Sequence, residues 1–221
     1  MNADRLHYVE ELIQRYPNLE TVKKEICAVY HCLENCYENG GKLLVAGNGG
    51  SAADAEHIVS ELMKGFKQPR AIKAEDREKL MQTDPENGAF LARQLQGALP
   101  AIAVTGHSAL TTAYMNDCDP YLCFAQQVYG LGNTGDVLLC ISTSGNSKNV
   151  LYAAAVAKAK GMHVIGLTGA AENRLQVLSD YCICVPQTET YKVQELHLPV
   201  YHCLCMMLEQ RFFGTESAQD R

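Results

Sequence analysis

Four hydroxyl side chains crowd into six residues directly after an apolar run, 136–141. They are Ser142, Thr143, Ser144 and Ser147, and a helix-like stretch begins soon after them. A buried strand that ends in such a turn before a helix offers backbone N–H groups and the positive end of the helix dipole, which together bind anions. A single serine here would indicate an ordinary N-cap, but four hydroxyls favour a phosphate site.

A glycine-rich turn, residues 47–51, follows an earlier apolar run and forms a second candidate ligand loop. It reads Gly-Asn-Gly-Gly-Ser, and glycine lets the backbone approach a ligand closely. The pattern Gly47-x-Gly49-x-x-Ala52 also fits the dinucleotide fingerprint, which makes a nucleotide-binding enzyme an alternative. That fingerprint requires an acidic residue at the end of the next strand, about 20 residues on. The next apolar run begins only at 101, which argues against it.

His57 and Glu61 follow this loop on a predicted helix, one turn apart and on the same face. A solvated pair on a helix surface is the ordinary interpretation of this spacing. However, the helix starts at the carboxyl end of a predicted strand, and Ile58 and Val59 between the two residues are apolar. The helix is therefore expected to be partly buried, which favours a functional pair.

The last predicted helix carries Gln194 and His202, which are separated by about 12 Å along the axis at about 1.5 Å per residue. Pro199 lies between them, and we expect it to kink the helix and draw the two side chains together. Taken alone, His202 is better explained as a core histidine with its hydrogen bonds satisfied than as a catalytic residue.

Five short apolar runs must position these residues, and most are followed by a turn and a helical pattern. The runs are 43–46, 101–104, 137–141, 163–167 and 181–185. Short continuous apolar strands that alternate with helices indicate a parallel sheet covered on both faces. The expected fold is therefore an α/β doubly wound five-stranded sheet, with ligands bound at the carboxyl ends of the strands. Helical spacing over 6–16 and 19–38 adds an N-terminal helical extension, residues 1–40, closed by Asn39-Gly40-Gly41.

Residues 67–98 interrupt this rhythm with a charged and polar stretch that has few apolar positions. A connection of this length without structure is unusual in a compact domain and often marks a lid or an insertion. We therefore expect one domain, residues 1–221, with an insertion at about 67–98. The tail from Thr215 onward is predicted to fray.

Composition narrows the partners and the compartment. The net charge of −6 leaves no basic surface for nucleic acid, and no apolar run approaches the roughly 18 residues of a membrane span. Residues 1–5 lack the pattern of a signal peptide, so a cytoplasmic protein is expected. Ten cysteines without a C-x-x-C motif are then expected to be mostly buried free thiols.

Together the motifs resemble the sugar-isomerase (SIS) domain family, and most closely its bacterial phosphoheptose isomerases. The resemblance runs from the second helix to about Phe213. The motifs that carry it are the 47–51 loop, His57-x-x-x-Glu61, Asn116-Asp117, the 142–147 loop and Gln194-Glu195-x-His197-x4-His202. The resemblance implies a SIS, flavodoxin-like fold.

The resemblance also implies roles for the site residues. Substrate would be bound by Asn48, Gly49, Gly50, Ser51, Glu61, Asn116, Asp117, Ser142, Thr143, Ser144, Ser147 and Gln194. Glu61 would be the base and His202 the acid. One zinc ion per chain would be held by His57, Glu61, Gln194 and His202. Family members form homotetramers with active sites between chains, and we expect the same here.

The implied activity is that of an aldose–ketose isomerase acting on a sugar phosphate. The expected reaction converts sedoheptulose 7-phosphate to D-glycero-D-manno-heptose 7-phosphate by proton transfer through an enediol. The alternative is a non-catalytic regulator that binds a sugar phosphate or the replication initiator protein, because some relatives have lost the acid and base. This chain keeps Glu61 and His202. It departs from the family in the long segment after Phe66, and in Tyr191, where several isomerases have an aspartate.

Overall fold

A computed structural model describes residues 3–214, with side chains from Leu6 onward. Its single sheet contains five parallel strands in the order β2-β1-β3-β4-β5. The strands are β1 (Leu43–Gly47), β2 (Ala101–Ala103), β3 (Val137–Ile141), β4 (His163–Gly169) and β5 (Tyr181–Val185). Each of the five predicted apolar runs is a strand, and the doubly wound, flavodoxin-like prediction is confirmed because this strand order is that of flavodoxin.

The continuous apolar character of the strands follows from burial on both faces of the sheet. Leu43 and Val45 of β1 belong to one hydrophobic core, whereas Leu44 and Ala46 belong to a second core on the opposite face. Successive side chains of a strand point to opposite faces, so a strand covered on both sides has no position for a polar residue.

The described part of the chain contains ten α-helices. They are α1 (Ala3–Arg15), α2 (Lys23–Glu38), α3 (Gly50–Met63), α4 (Ala74–Thr83), α5 (Gly88–Gln94), α6 (Ser108–Asp117), α7 (Cys123–Leu131), α8 (Lys148–Ala159), α9 (Arg174–Leu178) and α10 (Thr190–Phe213). Helices α1, α2, α3 and α10 pack on one face, and α7, α8 and α9 pack on the other. The first face therefore brings together the two helices that carry the predicted acid and base.

The N-terminal helices differ from the prediction in one detail. Residues Pro17–Val22 form a 3₁₀ helix, so the helix expected over 19–38 begins only at Lys23. Proline fixes φ and suits the first turn of a helix, which explains why the new helical segment starts at Pro17. The predicted end of α2 is confirmed, because the chain turns at Gly40 with φ of +73°.

Residues 67–98, which the sequence marks as an insertion, contain the two helices α4 and α5. Helix α4 buries none of its side chains, which is why its sequence shows so few apolar positions. A bridge between Ala71 and Gln96 closes the base of this helical segment. The chain therefore leaves the core after α3 and returns to it just before β2.

The last helix is continuous from Thr190 to Phe213 although Pro199 lies inside it. Pro199 therefore does not end the helix, and the expected kink stays a prediction. All ten cysteines are free thiols, as predicted, and six of them are buried. Among the described residues, no helix has the length and apolar character of a membrane span. The predicted fraying from Thr215 falls outside the described residues.

Candidate active site

The hydroxyl-rich loop connects β3 to α8 at the carboxyl edge of the sheet. Gly145 has φ of +61° and its N–H donates to the Ser142 carbonyl, which folds the loop into a tight turn. The hydroxyl groups of Ser142 and Ser147 lie 3.1 Å apart. Ser147 is the N-cap of α8, but its side chain makes no capping hydrogen bond within residues 3–214. The first turn of α8 therefore keeps N–H groups for an anion.

The glycine-rich loop lies next to it, because β1 and β3 are neighbours in the sheet. The Asn48 amide exchanges two hydrogen bonds, of 2.9 and 2.8 Å, with the Asn149 amide at the start of α8. Gly49 has φ of +57°, which requires glycine. The two loops flank the point where strand order reverses, and this is the position at which doubly wound sheets bind ligands.

His57, Glu61 and His202 come together at the contact between α3 and α10. The Nε2 atom of His57 lies 3.2 Å from Glu61 Oε1 and 3.5 Å from His202 Nε2. Glu61 is buried, with 8% of its surface exposed. The predicted base and acid therefore lie in one cluster, with His57 between them.

Two residues that the sequence analysis missed orient His57. The Tyr201 hydroxyl donates to Asp54 Oδ1 at 3.1 Å and lies 3.0 Å from His57 Nδ1. A hydroxyl has one proton, so once it donates to Asp54 it must accept the N–H of His57 Nδ1. The Nε2 atom of His57 is then an acceptor that faces Glu61 and His202. Burial raises the pKa of the Asp54 carboxyl, while the Tyr201 hydrogen bond opposes that shift.

Lys64 is a further member of the cluster that was not predicted. Its ammonium group donates to Glu61 Oε2 at 3.2 Å, so this carboxylate oxygen has a donor. Burial lowers the pKa of His202, and the neighbouring His57 lowers it further. His202 is therefore a neutral imidazole at neutral pH, which can hold or pass one proton.

The other predicted site residues occupy different places. A Cβ atom on Gly50 would lie 2.5 Å from the Gln194 amide nitrogen, so Gln194 packs against the glycine-rich loop. Asn116 donates to its neighbour Asp117 at 2.9 Å, on the exposed end of α6. The structure thus brings Gln194 to the ligand loops. No hydrogen bond within residues 3–214 joins the Asn116 or Asp117 side chain to the cluster or to the two ligand loops.

The donor atoms of the cluster suit a metal ion in type, and two of their separations match those in a tetrahedral site. Tetrahedral zinc with bonds of about 2.0–2.1 Å places its ligand atoms about 3.4 Å apart, and the two distances from His57 Nε2 lie close to that value. Two acceptors that face each other, His57 Nε2 and Glu61 Oε1, also favour a cation between them. In the present conformation, residues 3–214 contain no group of three or more His, Cys, Asp or Glu side chains already arranged around one ion.

The sequence was sufficient to identify the candidate acid, base and metal ligands, but not the residues that orient them. Asp54 precedes His57 by three positions on the same helix face, so that spacing was available as a signal. Tyr201 and Lys64 carry no such local signal, because their roles depend on which side chain lies opposite.

Comparison with known proteins agrees with this fold. The SIS domain family profile matches residues 7–95 and 86–169. The phosphoheptose isomerase of Thiobacillus denitrificans is 42% identical over 180 residues, which cover 80% of this chain and 78% of that protein. Phosphoheptose isomerase 2 of Campylobacter jejuni is 37% identical, with coverage of 93% and 88%. The chain belongs to the SIS domain family.

Solved structures point to the same group within that family. The structure of phosphoheptose isomerase from Neisseria gonorrhoeae matches with a TM-score of 0.71 at 31% identity, over 91% of this chain and 94% of that one. The phosphoheptose isomerase from Francisella tularensis matches with a TM-score of 0.71 at 34% identity, over 95% and 100%. The resemblance to phosphoheptose isomerases therefore extends over nearly the whole chain.

Proposed function

We propose that this chain is a phosphoheptose isomerase that converts sedoheptulose 7-phosphate to D-glycero-D-manno-heptose 7-phosphate. The observation that carries the proposal is the cluster of Glu61, His57 and His202 on a SIS fold whose relatives bear that name. An aldose–ketose isomerase needs a base for a carbon-bound proton and a second group that serves the oxygens, and this cluster supplies both.

In the proposed mechanism, Glu61 removes the proton from C1 of the open-chain ketose and returns it to C2 through an enediol. Lys64 donates to Oε2 of the carboxylate and fixes it for a carbon-bound proton, while Oε1 faces the unprotonated Nε2 of His57. His202 moves a proton between the substrate oxygens as a neutral imidazole. Its lowered pKa supports that role, because the ring is then uncharged at working pH.

The hydroxyl-rich loop, residues 142–147, would hold the phosphate group with Ser142, Thr143, Ser144 and Ser147. The open N-terminus of α8 supports this assignment, since it favours negative charge without adding a cation. Fixing the distant phosphate also aligns C1 and C2 with Glu61. The remaining substrate contacts are proposed for Asn48, Gly49, Gly50, Ser51, Asn116, Asp117 and Gln194.

We also propose that one zinc ion binds per chain, through His57, Glu61, His202 and Gln194. The two distances from His57 Nε2 and the fixed tautomer of His57 support a metal, whereas Gln194 must turn away from Gly50 to reach it. A zinc ion bound there would polarise the substrate carbonyl. Because no ready-made cluster of three such ligands exists in the described residues, binding requires adjustment of these side chains.

We also propose the assembly, the compartment and the domain organisation of the protein. A homotetramer with active sites between chains is supported by Met63 and Leu198, whose apolar side chains are 47% and 40% exposed on the two helices that carry the cluster. A cytoplasmic location is supported by the ten free thiols, which suit a reducing compartment. We further propose that the whole chain is one SIS domain with an insertion at 67–98.

Conversion of sedoheptulose 7-phosphate by the purified chain tests the function. Chromatography of the phosphorylated sugars should reveal the aldose heptose phosphate. A five- or six-carbon ketose phosphate should be converted more slowly. The alternative, a non-catalytic regulator, predicts binding of the sugar phosphate without any aldose product. That outcome would refute the proposed isomerase.

A further inference from the structure

A buried ion pair lies beside the catalytic cluster, between the segment after α3 and the end of α10. The Nε atom of Arg70 donates to Glu209 Oε1 at 2.8 Å, and the two side chains are 0% and 1% exposed. Burial of two charges is costly and is tolerated only where the remaining donors and acceptors are also satisfied. Here those remaining groups reach directly toward the residues proposed for catalysis.

The remaining nitrogens of Arg70 cap the helix that carries the base. They donate to the carbonyl oxygens of Leu62 and Glu61, at 2.7 and 2.8 Å. Helix α3 ends at Met63, so these carbonyls have no partner within the helix. Arg70 therefore fixes the backbone of Glu61 itself, at the position from which its carboxylate projects.

The carboxylate of Glu209 holds the other side of the cluster. It accepts hydrogen bonds from the backbone N–H groups of Phe66 and Lys67, both at 2.8 Å. The ring of Phe66 then packs against the His202 ring, with 5.3 Å between centroids. One ion pair is thus connected to Glu61 through a carbonyl and to His202 through an aromatic contact.

We propose that Arg70 and Glu209 are positioning residues for the isomerisation, which set the placement of Glu61 relative to His202. This inference rests on the proposed roles of those two residues. Proton transfer from carbon depends steeply on the distance and direction between base and substrate, so a small displacement of α3 against α10 slows the chemical step. Substrate affinity depends mainly on the loops at 47–51 and 142–147, and none of the hydrogen bonds of the ion pair among the described residues reaches either loop.

The test compares Arg70→Lys and Glu209→Gln with the control Arg211→Ala. Arg211 belongs to the same helix and pairs with Glu34 and Glu38 at the surface, so its loss removes ion pairs without touching the cluster. Lysine keeps the charge of Arg70 but cannot reach Glu209 and both carbonyls in the same fork geometry. The measurements are kcat and KM for sedoheptulose 7-phosphate, binding of the sugar phosphate by calorimetry, and circular dichroism.

We expect folded Arg70→Lys and Glu209→Gln to lose at least about tenfold in kcat, while KM and the binding constant change less than about twofold. Arg211→Ala should keep the kcat of the unmodified chain. Unchanged kcat in both folded variants would overturn the proposal. Absence of isomerase activity in the unmodified chain would instead refute the proposed function, so the two failures are distinguishable.

A variant that does not fold is replaced by Phe66→Leu, which keeps the backbone N–H that Glu209 accepts and an apolar side chain against the core, but removes the ring contact with His202. A lower kcat at unchanged sugar-phosphate binding supports the proposal. The same kcat as in the unmodified chain contradicts it, because the Glu209 arm would then have no effect on His202.

Discussion

The Nε2 atoms of His57 and His202 lie 3.5 Å apart, although 145 positions separate the two residues in the chain. This contact is made where α3 packs on α10, so the catalytic cluster exists only after the two helices have docked on the sheet. Because Tyr201 and Asp54 orient His57 from the opposite side, the position of each ring nitrogen is determined by neighbours from both helices.

Removal of the Tyr201 hydroxyl tests this orientation. In Tyr201→Phe the ring stays in place, but His57 Nδ1 loses its acceptor and the Asp54 carboxylate loses its donor. We expect zinc affinity to fall about 10- to 100-fold, as is typical when the partner of a metal-binding histidine is removed. Metal titration measures this loss. Tyr37→Phe, which removes another buried hydroxyl far from the cluster, is the control and should bind zinc like the unmodified chain.

The zinc proposal itself predicts a labile ion. Chain purified without chelator should contain about one zinc per molecule by elemental analysis, and His57→Ala should contain none. A chelator should remove the ion without unfolding the protein, because the cores do not depend on these side chains. His31→Ala, which changes an exposed histidine, should keep its zinc. Zinc-free protein with full activity would leave the cluster with acid–base roles alone.

The phosphate loop is tested by Ser147→Ala and Ser144→Ala. Each variant loses a hydroxyl that could donate to a charged group, which should weaken binding of sedoheptulose 7-phosphate by about 1.5–3 kcal/mol. Calorimetry should give a smaller effect for an unphosphorylated heptose. Ser179→Ala is a suitable control, because that hydroxyl donates to the Leu175 carbonyl away from the loop. Equal weakening for both sugars would mean that the loop is only structural.

His197 makes the stability of the protein depend on pH. It is fully buried, neither ring nitrogen has a hydrogen-bond partner within the described part of the chain, and burial lowers its pKa to about 4. The Thr168 backbone opposes only part of this shift. Below about pH 6.5 the unfolded chain binds a proton that the folded chain does not, so the free energy of unfolding decreases as pH falls toward 4.

Urea unfolding at several pH values measures this effect. The loss should approach about 1.4 kcal/mol per pH unit between pH 6 and pH 4.5. His197→Leu should have a shallower dependence over that range, by the same amount, because it has no ring to protonate. Parallel curves for the two proteins would show that His197 does not cause the dependence.

The sequence was sufficient to predict the sheet, because the pattern of each strand is local. Burial on both faces produces a continuous apolar run, and every such run became a strand. The helices within residues 67–98 were harder to predict, since α4 buries no side chain and therefore lacks the apolar period of a helix. The 3₁₀ helix at Pro17–Val22 was missed for a related reason, as its apolar spacing continues into α2.

Only those parts of the site that form local sequence patterns could be predicted. The hydroxyl-rich loop and the His57–Glu61 pair are local patterns. The resemblance to a known family added the roles of the residues on the last helix. Arg70 and Glu209 show no such pattern, because they are 139 positions apart and become partners only when both are buried. Their importance follows from burial and from the carbonyls that they reach, which the sequence does not display.

The exchange of substrate protons with solvent tests the central claim most directly. The purified chain is incubated with sedoheptulose 7-phosphate in D₂O, and the aldose product is observed by NMR. The proton that Glu61 takes from C1 exchanges with solvent while the enediol is bound, so transfer by Glu61 predicts an aldose heptose phosphate with deuterium at C2. Glu61→Gln should form this product at least about 10²-fold more slowly while still binding the sugar phosphate. Near-normal turnover in Glu61→Gln, or no aldose from the unmodified chain, would contradict the account.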